Sequence, residues 1–368
     1  MFFNKKPSKI AESLKKSVLD YYHLSTSSQA ANRFNVNADE SSSTVKYSIS
    51  LPFANKTKQA DLQAFLLTKF EKLSAEQLVF TQNIPITAAK VAPIPNVKNV
   101  IAVSSGKGGV GKSATAVNLA FALKEQGARV GILDADIYGP SVPIMLGNPE
   151  AHPESEDQKI MQPIESQGLV ANSIGYLVSS ESAAIWRGPM ATKAIKQLTY
   201  ETQWPLLDYL IVDLPPGTGD IHLTLSQSVP ISAAVIVTTP QTIATADAKK
   251  GIAMFEKLDI PVLGIVENMS YFECKCGEKT YPFSQGGSQA LAEQFDTEVL
   301  GELPLSNYIR ERADEGRCLL KMEGAEDIKS IYLDIAEKVS RELGLYGKLH
   351  QVVHKVGKPE LGIPVVNR

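Results

Sequence analysis

The stretch "NVIAVSSGKGGVGKSATAVNLAFAL", residues 99–123, restricts the fold of this chain more than any other. An apolar run, a glycine-rich turn and a run with helical spacing follow one another directly. Gly106 through Ser113 match G-x-x-x-x-G-K-[ST] in the context that pattern requires, a strand before and a helix after. Gly106, Gly108, Gly109 and Gly111 let backbone N–H groups, Val110 included, turn inward around phosphate oxygens. The helix starting near Lys112 adds the positive end of its dipole. Lys112 is placed to reach the β- and γ-phosphates of a nucleotide, and the Ser113 hydroxyl to ligate Mg²⁺. A glycine turn without a ligand is the plainer alternative, and the flanking strand and helix argue against it.

A strand–loop–helix unit of this kind needs a parallel sheet around it, and the sequence supplies one. "NVIAVSS", "ARVGILDAD", "YLIVDLPP", "AAVIVTT", "PVLGIVEN" and "TEVLGELP" read as strands, several apolar nearly throughout, as strands covered on both faces are. They alternate with helical patterns, which predicts a doubly wound, mostly parallel α/β domain over residues 99–343. Ahead of it, residues 1–90 read as a small α/β module. "SSSTVKYSISLPF" alternates like a half-buried strand, "TKQADLQAFLLTKFEKL" sets Leu62, Phe65, Leu66, Phe70 and Leu73 on one helical stripe, and "EQLVFTQNI" reads as a strand. Residues 91–98, with Pro93 and Pro95, form an extended linker. The tail, 344–368, carries Gly357, Pro359, Gly362 and Pro364 and reads as irregular.

The bulk properties narrow the function classes. A net charge of -3 provides no field for steering toward nucleic acid or anionic lipid. No apolar run approaches the length of about 20 residues that spans a bilayer, so neither a nucleic acid nor a membrane is expected as a partner. The basic N-terminus "MFFNKKPSKIAESLKKS" lacks an apolar h-region and arginine and contains Glu12, so it reads as an amphipathic helix with Ile10, Leu14 and Val18 inward rather than as a targeting signal. Three cysteines cannot build a disulfide framework, which points to free thiols in a reducing cytoplasm. Cys318 stands alone and reads as a packing residue. The five histidines show no ligand spacing.

The early lysine, Lys107, makes the loop "GKGGVGKS". That variant resembles the deviant Walker A group, which includes MinD, ParA and the nitrogenase iron protein. The resemblance implies an ATPase that dimerises around its nucleotide, with Lys107 crossing to the partner's ATP; a solvated loop lysine is the alternative. In "VGILDADIYGPSVP", Asp134 and Asp136 lie two residues apart at a strand end and can face the same side. By the resemblance, Asp134 belongs to the metal environment and Asp136 positions the attacking water, although either can also serve as a cap or turn former. "YLIVDLPPGTGD" has the form of a Walker B strand feeding a switch loop. It implies that Asp213 holds a water on Mg²⁺ and that the Gly217 N–H meets the γ-phosphate. Lys107, Lys112, Asp136 and Asp213 thus form the expected catalytic set. Asn268 matches the group's adenine-reading asparagine; its amide offers one donor and one acceptor to a base.

Directly beyond Asn268, "ENMSYFECKCGEK" holds Cys274 and Cys276 within the segment 269–283. With "DADIYGPSVP", "WRGPM" (186–190) and "VDLPPGTGD", it resembles the Mrp/ApbC family of iron–sulfur cluster carrier ATPases over about residues 97–320. The resemblance implies that two cysteine pairs, one per subunit, meet on a dimer axis and hold one [4Fe–4S] cluster, for transfer to apo iron–sulfur proteins in company with scaffold proteins. Four thiolates suit a cubane cluster, and a two-fold axis doubles a pair. The family pair is C-x-x-C whereas this chain has C-K-C. Cys276, followed by Gly277, corresponds to the second family cysteine, and Cys274 serves as the first from an offset position. Zinc on the same sulfurs, or two exposed thiols without metal, are the alternatives at this site. At the level of function the rivals are a ParA- or MinD-like positioning ATPase and an electron carrier like the nitrogenase iron protein.

Overall fold

The computed structural model describes residues 6–41, 43–87, 91–155, 159–177, 188–274 and 276–347. Trp186 and Arg187 of the "WRGPM" motif and residues 348–368 of the tail lie outside them.

The N-terminal part builds a three-stranded sheet from β1 (Asn35–Asp39), β2 (Lys46–Leu51) and β3 (Leu78–Gln82), in the order β1-β2-β3, antiparallel and then parallel. Alternation in β2 buries Tyr47, Ile49 and Leu51. Helix α1 (Pro7–Tyr21) sets Leu14 and Val18 on that core, with Ile10 packed beside it, and α2 (Gln59–Lys69) adds Leu62 and Leu66. β1 carries only half-buried Val36 and Ala38 on its apolar side, too weak a pattern to be read from the sequence.

The second sheet has eight strands: β4 (Val100–Ser104), β5 (Val130–Asp134), β6 (Ile164–Ser166), β7 (Leu169–Ser173), β8 (Tyr209–Asp213), β9 (Ala233–Thr238), β10 (Val262–Glu267) and β13 (Val299–Glu302). Their order is β13-β10-β9-β4-β8-β5-β7-β6, parallel except for β6 against β7. Between β10 and β13 lies a two-stranded hairpin, β11 (Phe272–Glu273) with β12 (Lys279–Thr280). The helices are α3 (Lys112–Glu125), α4 (Val142–Met145), α5 (Gly188–Tyr200), α6 (Asp220–Ser228), α7 (Thr242–Lys257), α8 (Gly287–Gln294), α9 (Asn307–Asp314) and α10 (Glu326–Tyr346). The doubly wound, mostly parallel architecture expected from the strand–helix alternation is the one observed.

Period-two alternation feeds two cores, one on each face of the sheet. Ile101 and Val103 of β4 join Leu119 and Leu123 of α3 and Ile335 and Val339 of α10. Val100 and Ala102 face the other way, onto Ile195 and Leu198 of α5 and Ile252 and Phe255 of α7. The six strands read from sequence are all present; β6 and β7 are additional. β7, "LVANS", buries the polar Asn172 and Ser173, which conceals it as a strand.

Both rims of the long sheet are short. β6 has three residues, and on β13 the Lys338 ammonium of α10 donates to the Leu300 carbonyl at 3.1 Å and lies 3.7 Å from Glu298. The N-terminal sheet is fastened to the larger one through α10, which continues past residue 343 to Tyr346 and places Leu345 in the N-terminal core. The Ala54 N–H donates to the Ser340 hydroxyl at 2.7 Å, and that hydroxyl also pairs with the Tyr209 hydroxyl at 2.8 Å.

Candidate functional site

Strand order places the expected residues together. β4, β8 and β5 are neighbours, and their register sets Val103 beside Asp213 and Asp213 beside Asp134. The phosphate loop therefore leaves the sheet next to both aspartates. Two of its glycines are required by close contact. A Cβ on Gly106 would run into the backbone of Asp247 and Ala248 in α7. Gly111 has φ +84°, and a Cβ there would strike the Asn268 amide.

Lys112 is buried at the centre. Its ammonium lies 2.6 Å from Asp213 Oδ1, 3.3 Å from Asp136 Oδ2 and 3.4 Å from the Ser113 hydroxyl. Burial works against its charge, yet Asp213 and Asp136 hold its pKa above the ordinary lysine value. Asp213 is fully buried, and burial pushes its pKa up against the pull of Lys112. Its second oxygen, Oδ2, has no hydrogen-bond partner among the described residues. Asp134 is equally enclosed. Its oxygens accept from the Asp136 N–H at 3.1 Å, the Val142 N–H at 3.3 Å and the Ser173 hydroxyl at 2.9 Å. Burial first, and the Asp213 charge second, raise its pKa to about 8. Asp136 differs in keeping 11% of its side chain exposed, so it is the least enclosed of the three aspartates.

The other expected residues are placed as follows. Lys107 is half-buried, and its carbonyl accepts from the Ser105 hydroxyl at 2.8 Å. Gly217 donates its N–H to the Ser105 carbonyl at 2.8 Å, which ties the switch loop to the phosphate loop. Asn268 is buried and donates from its amide to the Val110 carbonyl at 2.9 Å while accepting from the Met269 N–H at 3.0 Å. One amide hydrogen and one lone pair of Asn268 remain for any base.

Two neighbours of this site carry no sequence signal: Ser173, which holds Asp134, and His222. The His222 Nε2 lies 3.3 Å from the Ser104 hydroxyl, and burial lowers its pKa to about 4, so it is neutral at physiological pH.

The cysteine segment leaves the sheet at the same strand end. Five residues separate Asn268 from Cys274, which directly follows β11 in the turn of the β11–β12 hairpin. The backbone turns here: Gly277, at φ +83°, donates its N–H to the Cys274 carbonyl at 2.9 Å, and the Cys274 N–H donates to the Glu278 backbone carbonyl at 3.0 Å. The turn brings both sulfurs to one side, with Cα atoms 5.3 Å apart, and the structure joins them as a disulfide, in place of the free thiols expected from the cysteine count. Glu278 joins the pair, with the three donor atoms within 4.8 Å of one another. Phe272 and Tyr281 flank them, 46% and 41% exposed. Cys318 is buried in the core, where burial pushes its thiol pKa up. Among the described residues, no helix is long and apolar enough to cross a membrane.

With this geometry in hand, similarity to known proteins is informative. The model of the NUBPL iron-transfer P-loop NTPases matches residues 96–340. An iron–sulfur cluster carrier protein of Salmonella typhimurium is 56% identical over 257 residues, 70% of either chain. One of Haemophilus influenzae is 50% identical over 312 residues, 83% of this chain and 84% of its own. The mouse iron–sulfur cluster transfer protein NUBPL is 48% identical over 260 residues, 69% of this chain and 80% of its own. Among solved structures, an ADP-bound nucleotide-binding protein from Archaeoglobus fulgidus aligns with a TM-score of 0.55 at 40% identity, covering 61% of this chain and 88% of that one. The cell division ATPase MinD of Pyrococcus furiosus shares the fold, at a TM-score of 0.51 and 21% identity over 66% of this chain and 98% of its own. The match runs from the strand before the phosphate loop through the cysteine hairpin, and the chain belongs to the iron-transfer P-loop NTPase family.

Proposed function

We propose that this protein is an ATP-binding and -hydrolysing carrier that holds an iron–sulfur cluster, as [4Fe–4S], between two copies of itself and hands it to apo iron–sulfur proteins. The observation that carries the reading is the single strand end shared by fuel and cargo: β10 runs directly into Asn268, bonded to the phosphate loop at Val110, and the chain presents the first of two sulfurs six residues later. Cytoplasm suits it, because the cargo site works through thiolates, and scaffold proteins that build clusters are its natural suppliers.

At the nucleotide site Lys112 transfers its ammonium from Asp213 and Asp136 to the β- and γ-phosphate oxygens. The backbone N–H groups of Gly106 through Gly111 cradle the phosphates, and Asn268 offers its remaining amide hydrogen and lone pair to adenine. Lys107 reaches the partner's nucleotide. Mg²⁺ fits the donor set, since the orphaned Asp213 Oδ2 and the Ser113 hydroxyl are both hard oxygen donors; when bound, the ion neutralises developing phosphate charge. Asp134, tied down by three donors, shapes that metal environment from outside. Asp136, the most open carboxylate, orients a water on the γ-phosphorus; the bond to the ADP oxygen breaks and phosphate leaves.

A dithiol reduces the Cys274–Cys276 disulfide of each copy to two thiols and is itself oxidised to a disulfide; the four resulting thiolates, two from each copy, then satisfy the four irons of a cubane. ATP changes cluster retention to the extent that it binds the retaining and releasing arrangements with different affinity.

Anaerobic reconstitution with iron and sulfide tests the proposal. About four irons and four sulfides per dimer are expected, abolished by Cys274→Ala or Cys276→Ala. Iron uptake indifferent to both substitutions would leave an ATPase without this cargo.

A further inference from the structure

The hairpin holds one donor that the carrier reading does not use. Cys274, Cys276 and Glu278 alternate along five residues, and their ligand atoms all lie within 4.8 Å of one another. The arrangement is held from outside the donors. Pairing of Phe272 with Thr280 and Glu273 with Lys279 closes the hairpin, and the Cys274–Glu278 and Gly277–Cys274 backbone bonds close the turn. Lys279, the nearest described cation in sequence, is engaged elsewhere: its ammonium lies 3.7 Å from Glu273 and 4.3 Å from the centre of the Tyr271 ring. No ion pair to Glu278 is formed among the described residues.

We propose that Cys274, Cys276 and Glu278 of a single protomer form an S₂O site for one thiophilic divalent cation, zinc or ferrous iron, with the fourth position open. The proposal deepens the carrier reading and rests on it for its biological sense, because the same sulfurs serve both. A tetrahedral ion with sulfur at about 2.3 Å and carboxylate oxygen at about 2.1 Å needs donors roughly 3.5–3.8 Å apart, within the span of this turn. Two thiolates and a carboxylate also suit zinc or ferrous iron better than magnesium or calcium. The pair has one intervening residue, and Glu278 supplies the third donor that two sulfurs alone lack. An oxygen ligand binds a thiophilic ion less firmly than a thiolate does, so it is the natural point of exchange when metal leaves.

Cobalt(II) is the probe. A dithiol in excess reduces the Cys274–Cys276 disulfide to two thiols and is itself oxidised to a disulfide; each thiol then loses its proton on binding metal. Titration of the full-length, anaerobic protein is expected to give one cobalt per chain, with sulfur-to-cobalt charge-transfer absorption and tetrahedral ligand-field bands. Glu278→Gln and Glu278→Ala are expected to weaken binding by about 10-fold or more and to change the ligand-field bands, with far-UV circular dichroism confirming the fold. Equal affinity and unchanged spectra in both variants would overturn the proposal, as would one cobalt per two chains. Reconstitution of the same variants with iron and sulfide separates the ideas: cluster uptake that survives Cys274→Ala and Cys276→Ala removes the carrier reading, whereas cobalt binding indifferent to Glu278 removes only the S₂O site.

Discussion

Asp134 shows how much of this site is set by enclosure. It is fully buried, and its backbone lies beside that of Asp213 across β5 and β8. Its carboxyl therefore keeps a proton up to about pH 8, whereas in an unfolded chain it would lose it near 4. A folded-state pKa above the unfolded value contributes stability that is complete below about pH 4 and is lost as pH rises toward 8. Asp134→Asn, similar in shape and uncharged throughout, should flatten that decline by roughly 1 kcal/mol or more. Urea midpoints of both proteins at about pH 5 and pH 8 measure it, and identical declines would show that Asp134 does not titrate in this range. At this scale the legible residues were those whose role follows from local order: Lys112 in its loop, Asp213 at the end of an apolar strand. What escaped were contacts made across the chain, such as Ser173 on Asp134, 39 residues apart, and Asn268 on Val110, 158 residues apart.

The phosphate loop and α7 form a unit that neither sequence segment announces. A Cβ on Gly106 would run into the helix backbone at Asp247 and Ala248, whereas one on Gly108 would meet only Pro216, at 4.0 Å. Gly106→Ala should therefore cost about 1–3 kcal/mol by forcing loop and helix apart, and should weaken ATP binding by shifting the N–H groups that face the phosphates. Gly108→Ala should be much milder in stability. Denaturant midpoints of the two variants decide it, since equal losses would mean that the loop yields without disturbing α7. Apolar strands with helices between them were readable because burial on both faces removes polar residues from them. β7 was not, because its buried amide is satisfied in the folded chain, by the Thr202 hydroxyl at 2.8 Å. The β11–β12 hairpin is too short for any periodicity, so the cysteines marked its place while its geometry stayed hidden.

The N-terminal part meets the larger sheet's layer through several polar contacts, among them Thr57 on the Gln126 side chain and Lys58 3.0 Å from Asp334, and Ser340 is the one that binds two fully buried partners. Its hydroxyl receives the Ala54 N–H and pairs with Tyr209, all out of contact with water. Ser340→Ala leaves both partners unsatisfied and should cost about 1–3 kcal/mol. Chemical denaturation checks the size, and limited proteolysis should show earlier cleavage within residues 1–90. A change indistinguishable from zero would mean that the apolar contacts and the remaining polar ones, such as Lys56 and Thr57 on Gln126, hold the N-terminal part without Ser340. The shift in hydrophobic pattern across the prolines at 93 and 95 falls between the three-stranded and the eight-stranded sheet, but the long helix that joins the parts reads as an ordinary terminal helix.

The guarded rims of the eight-stranded sheet bear on how copies of this molecule gather. One border strand has three residues and the other four, and a lysine sits on a carbonyl of the latter. Such borders discourage strand-by-strand extension into fibres. The dimer proposed above would instead use the loops at the strand ends, where a two-fold axis closes after one encounter. A crowded cell can stock the protein without templating its own precipitate.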